Sequence, residues 1–487
     1  MTSHRSDLKN IARCAMIERG LLPDFSAAAM AELGRIQTSA TDQSSGLCDL
    51  RKLLWASIDN DDSRDLDQLT VATSRHDQSV TIQVAIADVD ALVTKDSALD
   101  AHARHNTTSV YTSGDLFPML PEKLSTDLTS LGEGQDRLAI VVEFEVAEDG
   151  MVLSSSLYRA LVHNHAKLAY NAVAAWLAGT ASAPERITTV PGIDAQLRLQ
   201  DQVAQRLKAR RHQQGALSLE TIEPRAVFEG EVLTALKVEQ KNRAKELIED
   251  FMIAANQATA SYLKSKGIPS FRRILRSPER WQRIIEVAAR WGEVLPGEPN
   301  AQALEVFLVK RQKADPLRFP DLSLAIVKLI GRGEYVLDRS TDGAPEHFGL
   351  AVKGYTHSTA PNRRFPDLIT QRLVKAALAG TSTPYRVDEL EYLAGHCTEK
   401  EDDAERVERQ LRKSAAALLL EPMIGQRFDA IVTGASDKGT WVRLLDPPVE
   451  GKLTTGANGL DVGDTLHVQL VSTNVERGYI DFSRVGM

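Results

Sequence analysis

Cysteine is scarce: Cys14, Cys48 and Cys397 are the only three in 487 residues. They are too scattered for a disulfide framework, and no C-x-x-C pair offers a zinc site. No apolar run is long enough to cross a bilayer. The opening residues Met1-Thr-Ser-His-Arg-Ser-Asp-Leu-Lys-Asn10 lack the apolar stretch of a signal peptide. A cytoplasmic protein with no membrane association is therefore expected. Nor is there an excess of positive charge, since 58 Lys and Arg against 66 Asp and Glu give a net charge of −8. That balance excludes a general nucleic-acid coat and leaves any polyanion to local basic clusters. The chain is 43% hydrophobic and 25% charged, ordinary values for a soluble protein. It has room for about three domains and a substantial core.

What is present in abundance is local acidity. Ser57-Ile-Asp-Asn-Asp-Asp-Ser-Arg-Asp-Leu-Asp-Gln-Leu69 places five carboxylates between Asp59 and Asp67, directly after the apolar run Leu53-Leu54-Trp55. Asp65 and Asp67 are two apart, so on an extended chain they share a face. Asp59 would lie roughly 20 Å away on a straight strand. It joins them only if Asn60-Asp-Asp-Ser-Arg64 turns, as those residue types favour. Carboxylates about 4 Å apart repel by about 4 kcal/mol at a protein-like dielectric, so the cluster calls for a cation. An all-oxygen ligand set suits magnesium or manganese. An acidic surface turn and an acidic helix start are the plain alternatives. An EF-hand loop is disfavoured, because its sixth position would be Arg64 rather than Gly and its twelfth Thr70 rather than Glu. Leu69–Thr73 and Val80–Ile86 alternate like paired strands, which puts the acidic run at a sheet edge.

In chain order, Leu8–Arg19 and Ala27–Ile36 have helical spacing. They read as a small N-terminal module over 1–49, either a helix-turn-helix or winged-helix fragment or a packing cap. Strand patterns follow to about 163, with a helix near Ser97–His105 and a hairpin turn at Glu148-Asp-Gly150. Tyr111, in an irregular loop, is a candidate for stacking on a base or sugar, or a packing anchor. Helices are predicted at Lys167–Leu177, Asp194–Gln214, Gln240–Lys266, Pro278–Trp291 and Pro320–Ile330. The longest has an apolar face through Leu247, Ile248, Phe251 and Ala255, with Glu249 and Asn256 as candidates to face a site. Basic groups at Lys208–His212, Arg272-Arg273 and Lys310-Arg311 are candidate phosphate holders or solvated faces. Arg363 and Arg364 precede a helix opening at Pro366-Asp367, a plausible phosphate site. His357 reads as structural. Val387–Leu420 is a long charged helix or a helix pair, with Glu399–Arg406 as a solvated face. From about 424, five short strands in about sixty residues suggest a small closed oligonucleotide-binding barrel, with Phe428 and Trp441 as stacking candidates. The whole is α+β.

Taken together, the motifs resemble the ribonuclease II family of RNB-domain exoribonucleases over residues 50–421, with an S1 domain at 422–487. The acidic run is similar to the family's I-D-x-x-x-x-x-D-x-D-D. Ala85-Ile-Ala-Asp-Val89, Phe117-Pro-Met-Leu-Pro121 and Leu247–Asn256 resemble three further segments. His347-Phe-Gly-Leu-Ala through Arg363-Arg-Phe-Pro-Asp367 is similar to H-F-G-L-A…Y-T-H-F-T-S-P-I-R-R-Y-x-D. The resemblance implies processive, metal-dependent 3′→5′ hydrolysis of RNA to nucleoside 5′-monophosphates. It implies Asp59, Asp65, Asp67 and Gln68 as holders of magnesium, with manganese as an alternative, and Asp65, Asp67 and Arg363 as catalytic. It further implies that Tyr111, Glu249, Arg364, Glu408 and Trp441 bind a single RNA strand, in a protein acting as a monomer.

The chain departs from the family pattern at three places. The family's fourth aspartate is Gln68, a neutral ligand expected to weaken metal binding unless Asp61, Asp62 or Asp88 substitutes. Thr-Ser-Pro-Ile-Arg-Arg becomes Thr359-Ala-Pro-Asn-Arg-Arg364, which changes the loop under both arginines. About fifty residues stand where the family usually has two cold-shock barrels, so a more open entrance that admits duplexed RNA is expected. The competing function class is a non-catalytic RNA-binding regulator, which only Gln68 favours.

Overall fold

The computed structural model describes residues 4–42, 46–222, 224–238, 241–339, 346–436, 439–460 and 462–486. Two helices open it, α1 (His4–Glu18) and α2 (Ala27–Arg35), the second capped by Ser26. β1 (Cys48–Asp49), β2 (Ala56–Asp59), β3 (Gln68–Ser74) and β4 (Val80–Ala87) follow. Next come α3 (Ala98–Asn106), a small hairpin of β5 (Val110–Tyr111) and β6 (Leu116–Phe117), and then β7 (Asp136–Val146), β8 (Val152–His163) and β9 (Ala166–Ala169). Seven of these strands form one mixed sheet in the order β1-β8-β7-β4-β3-β2-β9. β3 and β4 pair antiparallel from Gln68↔Ile86 to Ser74↔Val80, as their sequences predict. They are not half-exposed, however. Every residue of β4 and the first five of β3 are buried, because helices cover the sheet. Gly150, with φ 81°, makes the β7–β8 turn. A Cβ there would stand 2.3 Å from the Arg206 carbonyl, so the crossing of the hairpin by a later helix requires glycine.

The covering helices are α4 (Tyr170–Leu177), α5 (Glu185–Thr189), α6 (Ile193–Gln213) and α7 (Arg243–Ser265). α7 lays Leu247, Ile248, Phe251 and Ala255 into the main core across β2, β4, β7 and β8. Each large apolar side chain so buried contributes about 1.5–3 kcal/mol. The segment expected as a helix from Lys167 begins instead as strand β9. Ala166 to Ala169 pair in parallel with Ala56 to Asp59, and that pairing overrides local helix preference. α7 starts after its cap Asn242 rather than at Gln240, which lies outside the described residues. An unexpected hairpin of β10 (Pro224–Glu229) and β11 (Val232–Val238) precedes it.

A second helical group has its own core: α8 (Trp281–Arg290), α9 (Ala301–Ala314) and α10 (Phe319–Ile330). The sequence pattern missed α9. It is flanked by the pair β12 (Ser270–Ile274) and β13 (Glu334–Asp338), then β14 (Glu346–His347) and β15 (Val352–Lys353). α11 (Phe365–Ala379) leads to α12 (Val387–Leu420), one continuous helix of 34 residues. Glu401 and Asp402 of α12 are half-buried in ion pairs with Arg273 and Arg332, so that stretch is not a solvated face. β16 (Arg427–Ser436), β17 (Gly439–Leu444), β18 (Glu450–Thr455), β19 (Thr465–Asn474) and β20 (Tyr479–Arg484) close into a barrel in the order β16-β17-β18-β20-β19. Arg443 of the barrel grips Asp321 of α10 through two hydrogen bonds of 2.9 and 2.7 Å.

The two N-terminal helices join different cores. α1 packs on α12 and β11, in the core shared with the barrel, while α2 packs on α3 in the core of the large sheet. Among the described residues, no helix is long and apolar enough to cross a membrane.

Candidate active site

The acidic run does turn. Asp59 ends β2, and its Oδ1 accepts hydrogen bonds from the Asn60 N–H at 2.7 Å and the Ser63 hydroxyl at 3.0 Å. The returning strand is tied down from outside the run. Ser130 Oγ donates to the Arg64 carbonyl at 2.8 Å and accepts from the Leu66 N–H at 3.0 Å. Asp61 and Asp62 are left exposed at the tip. Asp67 and Gln68, at the start of β3, are buried.

Arg363 and Asn362 meet Asp67 from the loop before α11. The Asn362 N–H donates to Asp67 Oδ1 at 3.1 Å, and Arg363 Nε lies 3.2 Å from Oδ2. Oδ2 is buried and accepts no hydrogen bond. Burial therefore pushes the Asp67 carboxyl up to about 7, with the Asp65 charge adding to the rise and Arg363 opposing it. Asp65 is raised too, by burial and then by Asp59, again against Arg363. The Tyr111 hydroxyl reaches toward Asp65 Oδ2 at 3.4 Å, and burial raises that phenol to about 12. The residue is 45% exposed, so it is accessible to a ligand.

Backbone hydrogen bonds couple the arginine loop to the tyrosine hairpin. The Arg363 carbonyl accepts from the Ser109 N–H at 3.0 Å, and the Phe365 N–H donates to the Thr107 carbonyl at 2.8 Å. Thr107 has φ 58°, a conformation that costs a β-branched residue about 1–3 kcal/mol and persists only where its surroundings hold it. From α12, Glu408 accepts the Tyr111 N–H at 2.9 Å.

The expected site residues thus divide. Asp59, Asp65, Asp67, Tyr111 and Arg363 act on one another electrostatically, Gln68 adjoins Asp67 in sequence, and Glu408 holds the Tyr111 backbone. Arg364 points elsewhere, in a bidentate pair with Asp367 at 2.9 and 2.7 Å. Glu249 is exposed in a separate polar pocket with Lys208, Arg211 and Lys241. Trp441 is half-buried on the barrel, beside Gly434 and on the same face of β17 as Arg443. Asp88, the buried candidate to substitute for Gln68, has its Oδ1 held by Lys375 Nζ at 2.8 Å.

The basic clusters are taken up by carboxylates: Arg272 by Asp338, Arg273 by Glu401, Arg211 by Asp250, Lys208 by Glu246 and Lys310 by Glu293. Asn256 accepts from the Ser358 N–H and hydroxyl, and His357 bonds the Tyr335 hydroxyl at 2.7 Å, so both are structural. Two residues escaped sequence reasoning. Tyr170, the first residue of α4, has its phenol raised by burial and then by Asp59, while Arg363 opposes the rise. Asn362, in the altered loop, also accepts from Thr129 Oγ1 at 2.6 Å. No local signal marks either one.

Among the described residues, no three His, Cys, Asp or Glu side chains stand as a ready-made metal cage. The donor chemistry nevertheless fits a hard cation. Asp67 Oδ2 is buried and unsatisfied, two further carboxylates act on the same site, and magnesium uses one or two carboxylates with the remaining positions taken by water and phosphate oxygens.

A mixed sheet carrying carboxylates at one strand entry, an arginine against them and a five-stranded barrel behind define the class of RNB-domain proteins. The comparisons agree. The RNB domain family matches residues 48–380, and the RNase II-type exonuclease C-terminal S1 domain matches 426–485. This chain belongs to the RNB family. Ribonuclease R of Vibrio parahaemolyticus is 30% identical over 90% of this chain and 56% of its own length. The chain therefore spans about half the length of the curated relatives it matches. RNase R of Mycoplasma genitalium, solved with ribose-methylated single-stranded RNA, has a TM-score of 0.87 at 22% identity, covering 98% of this chain and 78% of that one. The same protein has been solved with double-stranded RNA. Yeast Ssd1, described as a pseudonuclease, has a TM-score of 0.72 at 15% identity, over 91% of this chain and 55% of that one.

Proposed function

We propose that this protein is a metal-dependent, processive 3′→5′ exoribonuclease that releases nucleoside 5′-monophosphates. Its substrates would be single-stranded RNA and RNA with duplex regions. The observation that carries this reading is the placing of Arg363 against the buried Asp67, with Asp65 and the Tyr111 hydroxyl beside them. Asp59, Asp65 and Asp67, with Gln68 as a neutral fourth donor, would hold magnesium or manganese. The bound ion would supply Lewis acidity and an activated water for in-line displacement.

The other roles fall to side chains. Arg363 keeps a half-exposed planar fork that can turn to the attacked phosphate and stabilise developing charge. Tyr111, partly exposed, packs against the terminal nucleotide and so sets where degradation stops. Glu408 holds the Tyr111 backbone, and Arg364, bound to Asp367, fixes the loop that carries Arg363. Glu249 and Trp441 contact RNA further from the scissile bond, Trp441 by stacking. The relative solved with double-stranded RNA supports the duplex part of the reading.

Gln68 favours a second reading, an RNA-binding regulator on the same scaffold, and the fold is shared with a pseudonuclease. The test incubates 5′-labelled single-stranded RNA with the protein and magnesium or manganese, beside Asp67→Asn. Metal-dependent shortening from the 3′ end that the variant lacks is expected. Tight binding with intact RNA in every metal would establish the regulator instead.

A further inference from the structure

The hairpin that carries Tyr111 is braced by two helices, and one of them is the first helix of the chain. The β5–β6 hairpin turns through Thr112–Asp115, where Thr112 Oγ1 accepts the Gly114 and Asp115 N–H groups at 3.2 and 2.9 Å. At Gly114 the turn lies directly on the backbone of α1. A Cβ added there would stand 2.5 Å from the Leu8 carbonyl carbon, 2.6 Å from its oxygen and 2.7 Å from the Lys9 nitrogen. Gly114 is not in the left-handed region, so glycine is needed there for proximity and not for φ. Lys9 Nζ pairs with Asp115 at 2.9 Å on the rim of this contact. Below it, Leu8 and Ala12 of α1 share a core with Val110 and Phe117, which flank the hairpin, and with Leu411 of α12. One turn earlier on α12, Glu408 accepts the Tyr111 N–H at 2.9 Å.

We infer that α1 is a positioning element for the proposed active site: the Leu8–Lys9 backbone is the stop that sets how far Tyr111 reaches toward Asp65. The inference rests on the exoribonuclease reading for its consequence but not for its mechanics. Between the two braces the hairpin has only two-residue strands, Val110↔Phe117 and Tyr111↔Leu116, so it has little rigidity of its own. A displacement of Gly114 by one methyl radius is therefore passed to Tyr111, three residues away. Misplacement on that scale costs an enzyme up to about a hundredfold.

The decisive variant is Gly114→Ala, with Gly395→Ala as control, because a Cβ at Gly395 of α12 meets nothing within 4 Å. Amide hydrogen exchange of residues 110–117 reads the mechanics. Single-turnover degradation of labelled RNA, with the length of the final oligonucleotide, reads the consequence. For Gly114→Ala we expect faster exchange confined to this hairpin and α1, about a tenfold or greater loss of turnover, a limit product of altered length and an unchanged KM. The control should match wild type. Unchanged exchange and an unchanged limit product in an active Gly114→Ala protein would overturn the inference. An inactive wild type would instead sink the exoribonuclease reading, and the exchange result would still decide whether α1 braces the hairpin.

Discussion

Arg363 Nε stands 3.2 Å from Asp67 Oδ2, and that oxygen is buried without a hydrogen bond. The arginine is thus a counter-ion that only partly offsets the cost of an enclosed carboxylate. Its own side chain is 42% exposed, so it can leave that role when a phosphate arrives. Charge stored in this form costs stability and is available for binding.

Asp67→Asn should abolish turnover yet make the metal-free protein more stable. The folded-state pKa, about 7, lies above the ordinary value of 3.8. Asp67 therefore lowers stability as pH rises between those values, and the full cost is present above about 7. Asparagine keeps an acceptor for the Asn362 N–H and removes the charge. A gain of about 1–3 kcal/mol at pH 8 that vanishes near pH 4 is expected in urea melts with chelator. Equal stability at pH 8 would contradict the burial cost.

Arg363→Lys keeps the charge and loses the planar fork. Turnover should fall by about 10²–10³, while affinity for a non-hydrolysable RNA changes by less than about threefold, since phosphate contacts elsewhere dominate binding. Single-turnover rates beside filter binding separate the two. A parallel fall in both would make Arg363 a binding residue only.

Gln68→Asp restores the carboxylate that the family pattern carries at this position. The extra negative charge, buried and one residue along the chain from Asp67, should lower the magnesium concentration for half-maximal activity by about tenfold. It should also destabilise the metal-free protein through like-charge repulsion. A magnesium titration of activity and a melt in chelator check both, and a half-point that stays put would show that Gln68 does not face the ion.

His102 should make the fold acid-sensitive. It is enclosed by Phe25, at 4.2 Å between ring centroids, and by Asn106, and burial holds its pKa down at about 4. As pH falls below 6.5 the unfolded chain takes up a proton that the folded chain refuses until about 4. Stability is therefore full above 6.5 and is lost as pH drops toward 4, by about 1–3 kcal/mol. His102→Gln should flatten this part of the urea-midpoint profile between pH 7 and 4.5.

Much of the molecule was legible in the chain because its signals are local. Ser97 caps α3, Gly150 turns a hairpin, and five short strands punctuated by Gly and Asp announce the barrel. The carboxylates, the arginine pair and Tyr111 were legible as motifs. The failures share a cause. Lys167 looked helical until its segment paired with β2, and the acidic stretch of α12 looked solvated until Arg273 and Arg332 folded onto it.

The sequence by itself determined which chemical groups are available and, through caps, turns and periodicity, most of the elements that carry them. Only the tertiary structure decided what each group does. Arg363 and Arg364 are neighbours in the chain, yet one faces Asp67 and the other is locked to Asp367. Asp67 and Asp88 are both buried aspartates, yet Asp88 is paired with Lys375 at 2.8 Å and lies near Arg159, whereas Asp67 faces the half-exposed Arg363. The physical reason is that a charge takes its character from burial and from its partners. Asn362, which holds Asp67, lies 295 residues along the chain, beyond the reach of any local pattern.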